Sequence, residues 1–551
     1  MKLPSERVKT EKALSALALL VMACYFAVFA VINFKCFARF CEQDMYADTL
    51  VAKMMWEQKS LFPLGYVFGN QLYVVATPVL SALFYGLTGS PNTAMALATT
   101  VMSALIMLSF FWLLRPVVKR GISLACAALM LVACAFGDKL VNQEMGQLLF
   151  ILCSYYACYL ITLFVVLGDY TRSAADPGLR PLTLTLSLLL CFATGMQSLR
   201  QTCIMVLPIL AFEGLRLLLG FRKQGKAIFC CRKLPLLRAL AYASANLAGL
   251  LFAKLFPLHQ YTIFDAAPDS FSQRLSDVYV AFRDVAGFGW AGPEHPFFIL
   301  LLAFQLALLF GALALQLRQI RRPSALSDLW WLLLISIAAV TAAALLTSLR
   351  IRAVYLFMYY PLLALSVALV LEQVGPRLRC TVSLALCLLS LVNLYCSYIP
   401  SVRSALAPRE EPLEQISAWA VENGYELVYG NHTSVAPGIA AYSDGALVAG
   451  CWDEEIMFKS KEYLNIQNVY SFEDVERAIF VFQPWELDYA HEAAMNAGAE
   501  LTFHGRYGEL SVYTSTEQLM YPHTHPWFEK QWNLGQFGGK EAEETEEGTE
   551  Q

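Results

Sequence analysis

The stretch ALSALALLVMACYFAVFAVINF, residues 13–34, contains no charged side chain and leads into KCFARFCEQDMYADTL, residues 35–50. As a helix, an apolar run of this length crosses the hydrocarbon core of a bilayer, which is about 30 Å thick. It is too long for a cleaved signal peptide and lacks a small-residue cleavage site, so we interpret it as a first membrane span. Similar runs recur to about Ser397. They predict a polytopic membrane protein.

The composition agrees with this interpretation. Hydrophobic residues make up 57% of the 551 residues and charged residues 15%, whereas soluble domains contain about 25% charged residues. A single soluble globular protein is therefore excluded. Residues 1–398 contain 32 Lys and Arg against 18 Asp and Glu, and residues 399–551 contain 8 against 26. So acidic an exposed part argues against nucleic acid as a partner.

The positions of Lys and Arg predict how the chain crosses the membrane. We expect eleven transmembrane helices, at about residues 13–34, 94–114, 122–137, 147–167, 182–197, 201–220, 239–256, 297–317, 329–347, 353–372 and 380–398. The segments that would then lie inside hold 20 Lys and Arg in 69 residues, and those outside hold 10 in 116. Short cytoplasmic loops retain positive charge. The bias predicts a multi-pass protein of the plasma or inner membrane, with a cytoplasmic N-terminus and an extracytoplasmic C-terminal domain.

One further apolar run, residues 74–89, would break this pattern if it crossed, because 16 of the 20 inner charges would then move outside. The run is short, with Pro78 near its start and Gly86 and Gly89 near its end. We therefore predict a helix at the outer interface that does not cross.

The chain divides into three parts. We predict a transmembrane domain at residues 1–398, with outer loops at 35–93 and 257–296, a small domain at 399–521, and an acidic tail at 522–551 that we expect to be disordered. In the small domain, the pattern predicts helices at 414–423 and 486–498 and strands at 426–430, 446–450, 478–482, 501–504 and 510–514. The expected fold class is an α-helical polytopic membrane protein with juxtamembrane helices on its outer face and a C-terminal α/β domain outside.

Polar side chains from distant segments gather near the predicted outer membrane face, where ionisable groups are by default a functional hypothesis. They are Asp44, Asp48, Glu144, Arg200, Lys254, Arg350 and Arg352, with Tyr355 close behind. Simpler explanations remain open for most of them. A carboxylate beyond a span is often only solvated, Glu144 could cap its helix, and basic residues at span ends snorkel to lipid phosphates. Tyr355 could belong to an interfacial aromatic belt. Arg200 is harder to dismiss, since its predicted turn has only about three residues.

Four places in the chain together resemble one family. Asp44-Met45-Tyr46 precedes the interfacial sequence ATPVLSALFYGLTGSP, Glu144-Met145 opens the fourth span, SLRQTCIMVLP opens the sixth, and RIRAVYLFMYYPLLAL opens the tenth. Their order and spacing resemble the C-type (GT-C) polytopic membrane glycosyltransferases, especially bacterial enzymes similar to protein O-mannosyltransferases and the lipid A aminoarabinose transferase. The resemblance covers residues 13 to about 400, and the C-terminal domain is similar to the outer domain of such proteins. The chain departs from the family pattern at Asp44-Met45, where an acidic pair is usual, and at Arg200-Gln-Thr, where Lys-Gly-Pro is usual.

The resemblance implies transfer of a sugar from a polyprenyl-phosphate donor in the bilayer to an acceptor hydroxyl of a protein, lipid or glycan in the cell envelope. A hydroxyl needs a carboxylate to take its proton, and we assign this role to Asp44, with Asp48 as the fallback. Glu144 would orient sugar hydroxyls. Direct displacement would invert the anomeric centre.

The departing phosphate needs fixed cations. Arg200 is the first candidate and Arg350 or Arg352 the second, with Lys254 and Tyr355 as further donor-binding residues. We expect no metal site, although two carboxylates and a phosphate would suffice for Mg²⁺ or Mn²⁺.

Two questions stay open at this point. The outer loop 257–296 could be a lid or acceptor platform, or an interfacial helix without a catalytic part. Rival functions are a transporter or flippase for a lipid-linked or small solute, and a non-catalytic scaffold whose outer domain binds wall polymer.

Overall fold

The computed structural model describes residues 4–69, 71–133, 149–175, 181–224, 232–255, 270–286, 296–319, 324–347, 350–433, 435–452, 457–460, 465–466 and 472–520. The predicted acidic tail, residues 522–551, and the predicted site residue Glu144 lie outside these ranges.

Helices dominate the first four hundred residues. They are α1 Pro4–Lys35, α2 Phe37–Phe40, α3 Gln43–Glu57, α4 Thr77–Thr88, α5 Pro91–Leu114, α6 Gly121–Val132, α7 Ala157–Ala175, α8 Pro181–Gln197, α9 Leu207–Gln224, α10 Lys233–Leu255, α11 Phe271–Val285, α12 Pro296–Gln319, α13 Ala325–Leu346, α14 Tyr359–Gln373, α15 Pro376–Asn393 and α16 Ile399–Leu406. A π-helical turn, Thr202–Val206, leads into α9, and a 3₁₀ turn, Ala353–Leu356, precedes α14.

Within the part of the chain that the structure describes, eight helices are long and apolar enough to cross a membrane. They are α1, α5, α9 with its preceding turn, α10, α12, α13, α14 with its preceding turn, and α15 continued into α16. The other predicted spans correspond to α6, α7 and α8, which are shorter or carry charged residues. The prediction of a polytopic helical membrane protein is confirmed, while the number eleven stays a prediction.

Ion pairs join the inner segments predicted from charge at one end of the helices. Arg379 contacts Glu11 of α1 at 2.6 Å, and Arg120, between α5 and α6, contacts Glu372 of α14 at 3.3 Å. We call this end the N-terminal face. The opposite end, which carries the first loop and the C-terminal sheet, is called the loop face.

Hydrogen bonds attach the C-terminal part to the first loop at the loop face. The Tyr46 hydroxyl on α3 accepts a 2.8 Å bond from the backbone N–H of Ala449, and Lys53 Nζ donates to the carbonyl of Gly445 at 2.8 Å. At the start of α5, Asn92 donates to the carbonyl of Ala441. The helix α3 is thus held between the membrane helices and the sheet.

Helix α4 has both ends at the loop face. At its start, Thr77 donates to the carbonyl of Ser154, and just after its end Asn92 contacts the C-terminal domain. Its twelve residues span about 18 Å, too little for the hydrocarbon core. The length of α4 agrees with the prediction from the charge pattern that the run at 74–89 does not cross.

The predicted fourth span, 147–167, is wrong at its start. Residues 149–156 are buried but not helical, and Leu152 and Ser154 have positive φ angles of 58° and 47°. Side chains of neighbouring helices satisfy the backbone here: Asn33 accepts from the Leu152 N–H, and Ser103 donates to the Phe150 carbonyl. Irregular backbone at membrane depth is tolerated where protein surrounds it. The helix itself, α7, begins at Ala157.

The C-terminal part forms a five-stranded mixed sheet. Its strands are β2 Leu427–Asn431, β3 Val448–Trp452, β5 Ala478–Phe482, β6 Leu501–Tyr507 and β7 Leu510–Ser515, in the order β3-β2-β5-β7-β6. Strand β2 is parallel to β3 and β5, and β7 is antiparallel to β5 and β6. Three helices accompany the sheet: α17 Pro412–Glu422, α18 Val435–Tyr442 and α19 Leu487–Ala497.

Most of this α/β arrangement follows the predicted pattern. Helix α18 was not predicted, because Pro437 and Gly438 in its sequence disfavour a helix. A two-residue strand, β1 Tyr66–Val67 of the first loop, pairs antiparallel with β4 Asn465–Ile466 of the C-terminal part. This pairing also crosses between the two parts of the chain.

Candidate active site

Two carboxylates lie one turn apart on α3. Asp44 is in the first turn, where the helix dipole favours a negative charge, and its side chain is exposed. Asp48 follows at the i+4 position and is 2% exposed. The rest of α3 is mostly buried between α4, the first loop and the C-terminal sheet. The helix thus presents one accessible and one buried acid on the same side.

Burial distinguishes Asp48 from Asp44. It raises the pKa of Asp48 to about 8, with a further rise from the negative charge of Asp44 and an opposing hydrogen bond from Tyr73. No described residue hydrogen-bonds to Oδ1 of Asp48. A carboxyl with this pKa is largely protonated at neutral pH. Asp44 is therefore the better candidate for a base.

Arg200 lies in the turn between α8 and the π-helical turn before α9, surrounded by aromatic rings. Its guanidinium carbon is 4.0 Å from the ring centroid of Tyr156, 5.3 Å from that of Tyr159 and 5.8 Å from that of Tyr355. These distances are in the range of cation–π attraction. We call the three tyrosines the aromatic cage. Among the described residues, no carboxylate forms an ion pair with Arg200, so its charge is available to an anion.

Several other arginines inside the membrane domain are paired with acids. At the N-terminal face, Arg216 pairs with Asp328, Arg232 with Glu213, and Arg238 with Asp169. Buried charges are normally compensated in this way. The contrast sets Arg200 apart from these structural pairs.

Tyr156 connects the acid to the cation. It interacts electrostatically with both Asp44 and Arg200, which are 156 positions apart in the sequence. Asp44 also interacts with Tyr66, Tyr73 and Tyr155. The structure therefore brings Asp44, Asp48, Arg200 and Tyr355 to one group of tyrosines at the loop face.

The non-helical segment 149–156 explains why Tyr155 and Tyr156 reach this place. The left-handed residues Leu152 and Ser154 turn the chain just before them, and α7 begins immediately after Tyr156. Left-handed backbone at a non-glycine residue costs about 1–3 kcal/mol and often occurs at functional sites. Here the cost accompanies the placement of two aromatic side chains at the site.

The other predicted cations lie elsewhere or have other partners. Arg350 is 55% exposed in its side chain and lies 3.7 Å from Asp277 of α11, so it does not join the cage. Arg352 is exposed at the start of the 3₁₀ turn that carries Tyr355. Lys254 is exposed in the last turn of α10.

A large apolar groove lies among four helices of the membrane domain. It has a volume of about 770 Å³ and is bounded by α11, α12, α13 and α14, with Phe282, Phe310, Trp330 and Tyr359 among its lining residues. Tyr359 is the first residue of α14, four positions after the cage residue Tyr355, and its hydroxyl donates to Gln305 at 3.1 Å.

Helix α11 lies within the predicted outer loop 257–296. It packs Val278, Ala281 and Val285 inward and leaves Phe271, Leu275 and Tyr279 exposed at four-residue intervals. An apolar stripe of this kind is typical of a helix at a membrane interface. The interfacial alternative for this loop is therefore supported, and Tyr279, Phe282 and Arg283 of the same helix border the groove.

Several site residues were not predicted from the sequence. Tyr156 and Tyr159 lie within a run interpreted as an ordinary span, and Tyr73 and Gln71 lie in a loop without a recognisable motif. The i, i+3 spacing of Tyr156 and Tyr159 was the one available signal, since it places both rings on one side of the chain. Among the described residues there is no group of three or more His, Cys, Asp or Glu side chains that could hold a metal ion.

No protein-family model and no curated protein matches the sequence. Two crystal structures of ArnT from Cupriavidus metallidurans are similar in fold. The one in the apo state has a TM-score of 0.55 at 11% identity, over 93% of this chain and 100% of that chain. The one bound to undecaprenyl phosphate has a TM-score of 0.53 at 10% identity, over 92% and 99%. The chain therefore has a fold similar to that of ArnT over most of its length.

Proposed function

We propose that this chain is a membrane glycosyltransferase that moves a sugar from a polyprenyl-phosphate donor to an acceptor hydroxyl at the loop face. The observation that carries the proposal is the shared environment of Asp44 and Arg200 at Tyr156. The similar fold of ArnT, one structure of which is bound to undecaprenyl phosphate, supports the choice of a lipid phosphate.

The acid and the cation suit the two ends of a direct displacement. The acceptor oxygen forms a bond to the anomeric carbon while its proton passes to the Asp44 carboxylate. The bond between the anomeric carbon and the phosphate oxygen breaks, and the phosphate leaves with the electron pair. Attack from the side opposite to the phosphate inverts the anomeric centre.

Arg200 holds the charge that develops on the leaving phosphate. A guanidinium offers paired N–H donors to phosphate oxygens, and a site partly shielded from water strengthens this attraction. Because a phosphate is already a stable anion, neither a general acid nor a metal ion is required. Activity should therefore persist when divalent cations are removed with a chelator.

The apolar groove among α11, α12, α13 and α14 fits the hydrocarbon tail of such a donor. Its lining is aromatic and aliphatic, and it lies between helices of the membrane domain. A polyprenyl chain in the groove would place its phosphate near Tyr355 and Arg200. Lipid and sugar could then remain on opposite sides of the phosphate.

We further propose that the loop face is extracytoplasmic in the plasma or inner membrane. The excess of Lys and Arg in the opposite segments supports this orientation. The acceptor would then belong to the cell envelope.

A transfer assay tests the proposed function. Purified protein receives a radiolabelled polyprenyl-phosphate sugar with an envelope extract as acceptor, and the release or transfer of sugar is measured. We expect Asp44→Asn to lose at least about 100-fold in turnover, the usual contribution of a general base. Asp48→Asn should stay within a few fold, since Asn resembles the protonated acid.

Glu57→Gln is the matched control, because Glu57 is an exposed acid at the other end of α3. Equal turnover by Asp44→Asn and the parent would refute the role of Asp44. Donor binding without any sugar release would instead favour a transporter or a scaffold.

A further inference from the structure

Gln71 reaches Arg200 because the first loop is tied to the end of α8. The backbone N–H of Leu72 donates to the carbonyl of Gln197 at 3.1 Å, and the N–H of Val75 donates to Oε1 of the same residue at 2.6 Å. Gln197 is fully buried and lies three positions before Arg200. These bonds fix residues 71–75 alongside the turn that carries the cation.

The side chain of Gln71 accepts two hydrogen bonds at one oxygen. Arg200 Nη1 donates to Gln71 Oε1 at 3.2 Å, and the Tyr159 hydroxyl donates to the same atom at 3.1 Å. Arginine is only a donor, so the atom that faces it must be the carbonyl oxygen of Gln71. The NH₂ group of Gln71 consequently points away from Nη1.

A closed ring of hydrogen bonds results. The Arg200 backbone N–H donates to Ser198 Oγ at 3.3 Å, and Ser198 Oγ lies 2.8 Å from the Tyr159 hydroxyl. With Ser198 as donor to Tyr159, every bond of the ring has one donor and one acceptor. The ring joins the first loop, α7 and the turn after α8, and hydrogen bonds in such networks reinforce one another.

The hydrogen-bonded ring restricts the side chain of Arg200, which is flexible when it has no partner. A free arginine loses considerable rotamer freedom when it binds an anion. Here Gln71 holds one end of the guanidinium while the aromatic cage holds its plane. The remaining N–H groups of Arg200 then have a defined direction before any ligand arrives.

We propose that Gln71 is the positioning residue for Arg200 and that its own NH₂ group is a second donor to the phosphate of the lipid-linked substrate. The proposal rests on the proposed function, because it assumes that Arg200 binds this phosphate. The carbonyl oxygen of the Gln71 amide bonds to the protein, while its N–H groups are left to the ligand. The amide then recognises oxygen acceptors of the phosphate without adding charge.

Binding of undecaprenyl phosphate and of undecaprenol to the purified full-length protein in nanodiscs tests the proposal. The parent should bind the phosphate better than the alcohol. Gln71→Met keeps the length of the side chain but removes its acceptor and donors, so phosphate binding should weaken about 10-fold or more, as expected for bonds to a charged group. Binding of undecaprenol should not change.

Two further variants make the test sharper. Tyr159→Phe removes one bond to Gln71 but leaves its bond to Arg200, so we expect a smaller loss of phosphate affinity, of about 2- to 5-fold. Gln58→Met is the control: Gln58 lies in the same loop and bonds only to the backbone of Leu64. It should bind the phosphate as the parent does.

The outcomes separate the two proposals. If the parent does not prefer undecaprenyl phosphate over undecaprenol, the proposed donor site fails. If the parent shows the preference, Arg200→Gln loses it, and Gln71→Met and Tyr159→Phe retain it in full, the role of Gln71 alone is overturned. A Gln71→Met protein that does not fold leaves Tyr159→Phe to decide in the same way.

Discussion

Asp44 and Asp48 are the same type of residue, but the fold gives them different environments. Both lie on one side of α3, but Asp48 is buried and Asp44 is exposed. Taking a charged carboxylate out of water is unfavourable, so the buried acid keeps its proton. The accessible acid is left as the proton acceptor next to Tyr156.

The raised pKa of Asp48 predicts a dependence of stability on pH. The pKa is 3.8 ordinarily and about 8 in the folded protein, so between these values the folded state binds more protons than the unfolded state. Stability must then fall as the pH rises through this window. As the pH rises from about 5 to about 8, we expect the melting temperature of Asp48→Asn to fall less than that of the parent protein.

The control is Glu57→Gln on the same helix, which should follow the parent. Melting curves by intrinsic fluorescence at several pH values measure the effect. A slope in Asp48→Asn as steep as that of the parent would contradict a protonated, buried Asp48.

The sequence was sufficient to select Asp44, Arg200 and Tyr355 as candidates, because charge at a membrane boundary is rare and visible. It could not show that Arg350 pairs with Asp277, since the partner lies on another helix. Nor could it show Gln71, whose position depends on hydrogen bonds from the backbone N–H groups of Leu72, Val74 and Val75 to Gln197 of α8. The partner of an ion pair or hydrogen bond depends on the tertiary structure, so no local sequence pattern predicts it.

At the scale of elements, α8 and α10 pack unusually close together. A Cβ atom on Gly249 of α10 would lie 2.1 Å from the carbonyl oxygen of Phe192, and one on Gly195 of α8 would lie 2.2 Å from that of Asn246. Small residues allow helix backbones to approach in membranes. Since α8 ends just before Arg200, this contact also supports the site.

We therefore expect Gly249→Ala to destabilise the protein by about 1–3 kcal/mol, the usual cost of overpacking, and to lower the melting temperature. Gly214→Ala on α9 is the matched control, because nothing lies within 4 Å of its added Cβ. Helix propensity alone would make that control neutral or stabilising by up to about 1 kcal/mol. Equal melting temperatures for the two variants would contradict the close contact.

The contact between α3 and the C-terminal sheet gives a second prediction at this scale. Tyr46→Phe removes the acceptor of the Ala449 N–H, and an unpaired buried donor costs about 1–3 kcal/mol. The melting temperature should fall accordingly. Tyr85→Phe, which removes an exposed bond to Glu57, should change stability by about 0.5 kcal/mol or less. A Tyr46→Phe protein as stable as the Tyr85→Phe protein would show that this bond does not hold α3.

The pattern of apolar residues predicted most strands and helices of the C-terminal part, because β2 and β5 are short buried runs and α17 and α19 bury one face. It failed at residues 149–156, which are as apolar as a span but are not helical. Their backbone bonds go to Asn33, Ser103 and other side chains of distant helices, so hydropathy alone could not distinguish them from a helix.

At the scale of the whole molecule, the charged groups gather at two opposite faces. Ion pairs such as Arg379 with Glu11 gather at the N-terminal face, and the acid, the cage and the sheet gather at the loop face. Alkaline phosphatase fusions after Gly89 and after Arg120 test the proposed orientation. We expect phosphatase activity from the fusion after Gly89 and none from the fusion after Arg120, since alkaline phosphatase is active only outside the cytoplasm. Activity from both would overturn the predicted crossing of α5.

The most direct test of the shared site is a cryo-electron microscopy structure of the Asp44→Asn protein with a polyprenyl-phosphate sugar bound. The account predicts the phosphate within hydrogen-bond distance of the Arg200 guanidinium, the prenyl chain in the groove beside Tyr359, and the anomeric carbon turned toward residue 44. A phosphate bound at Arg350 or Lys254, with the sugar away from α3, would contradict it.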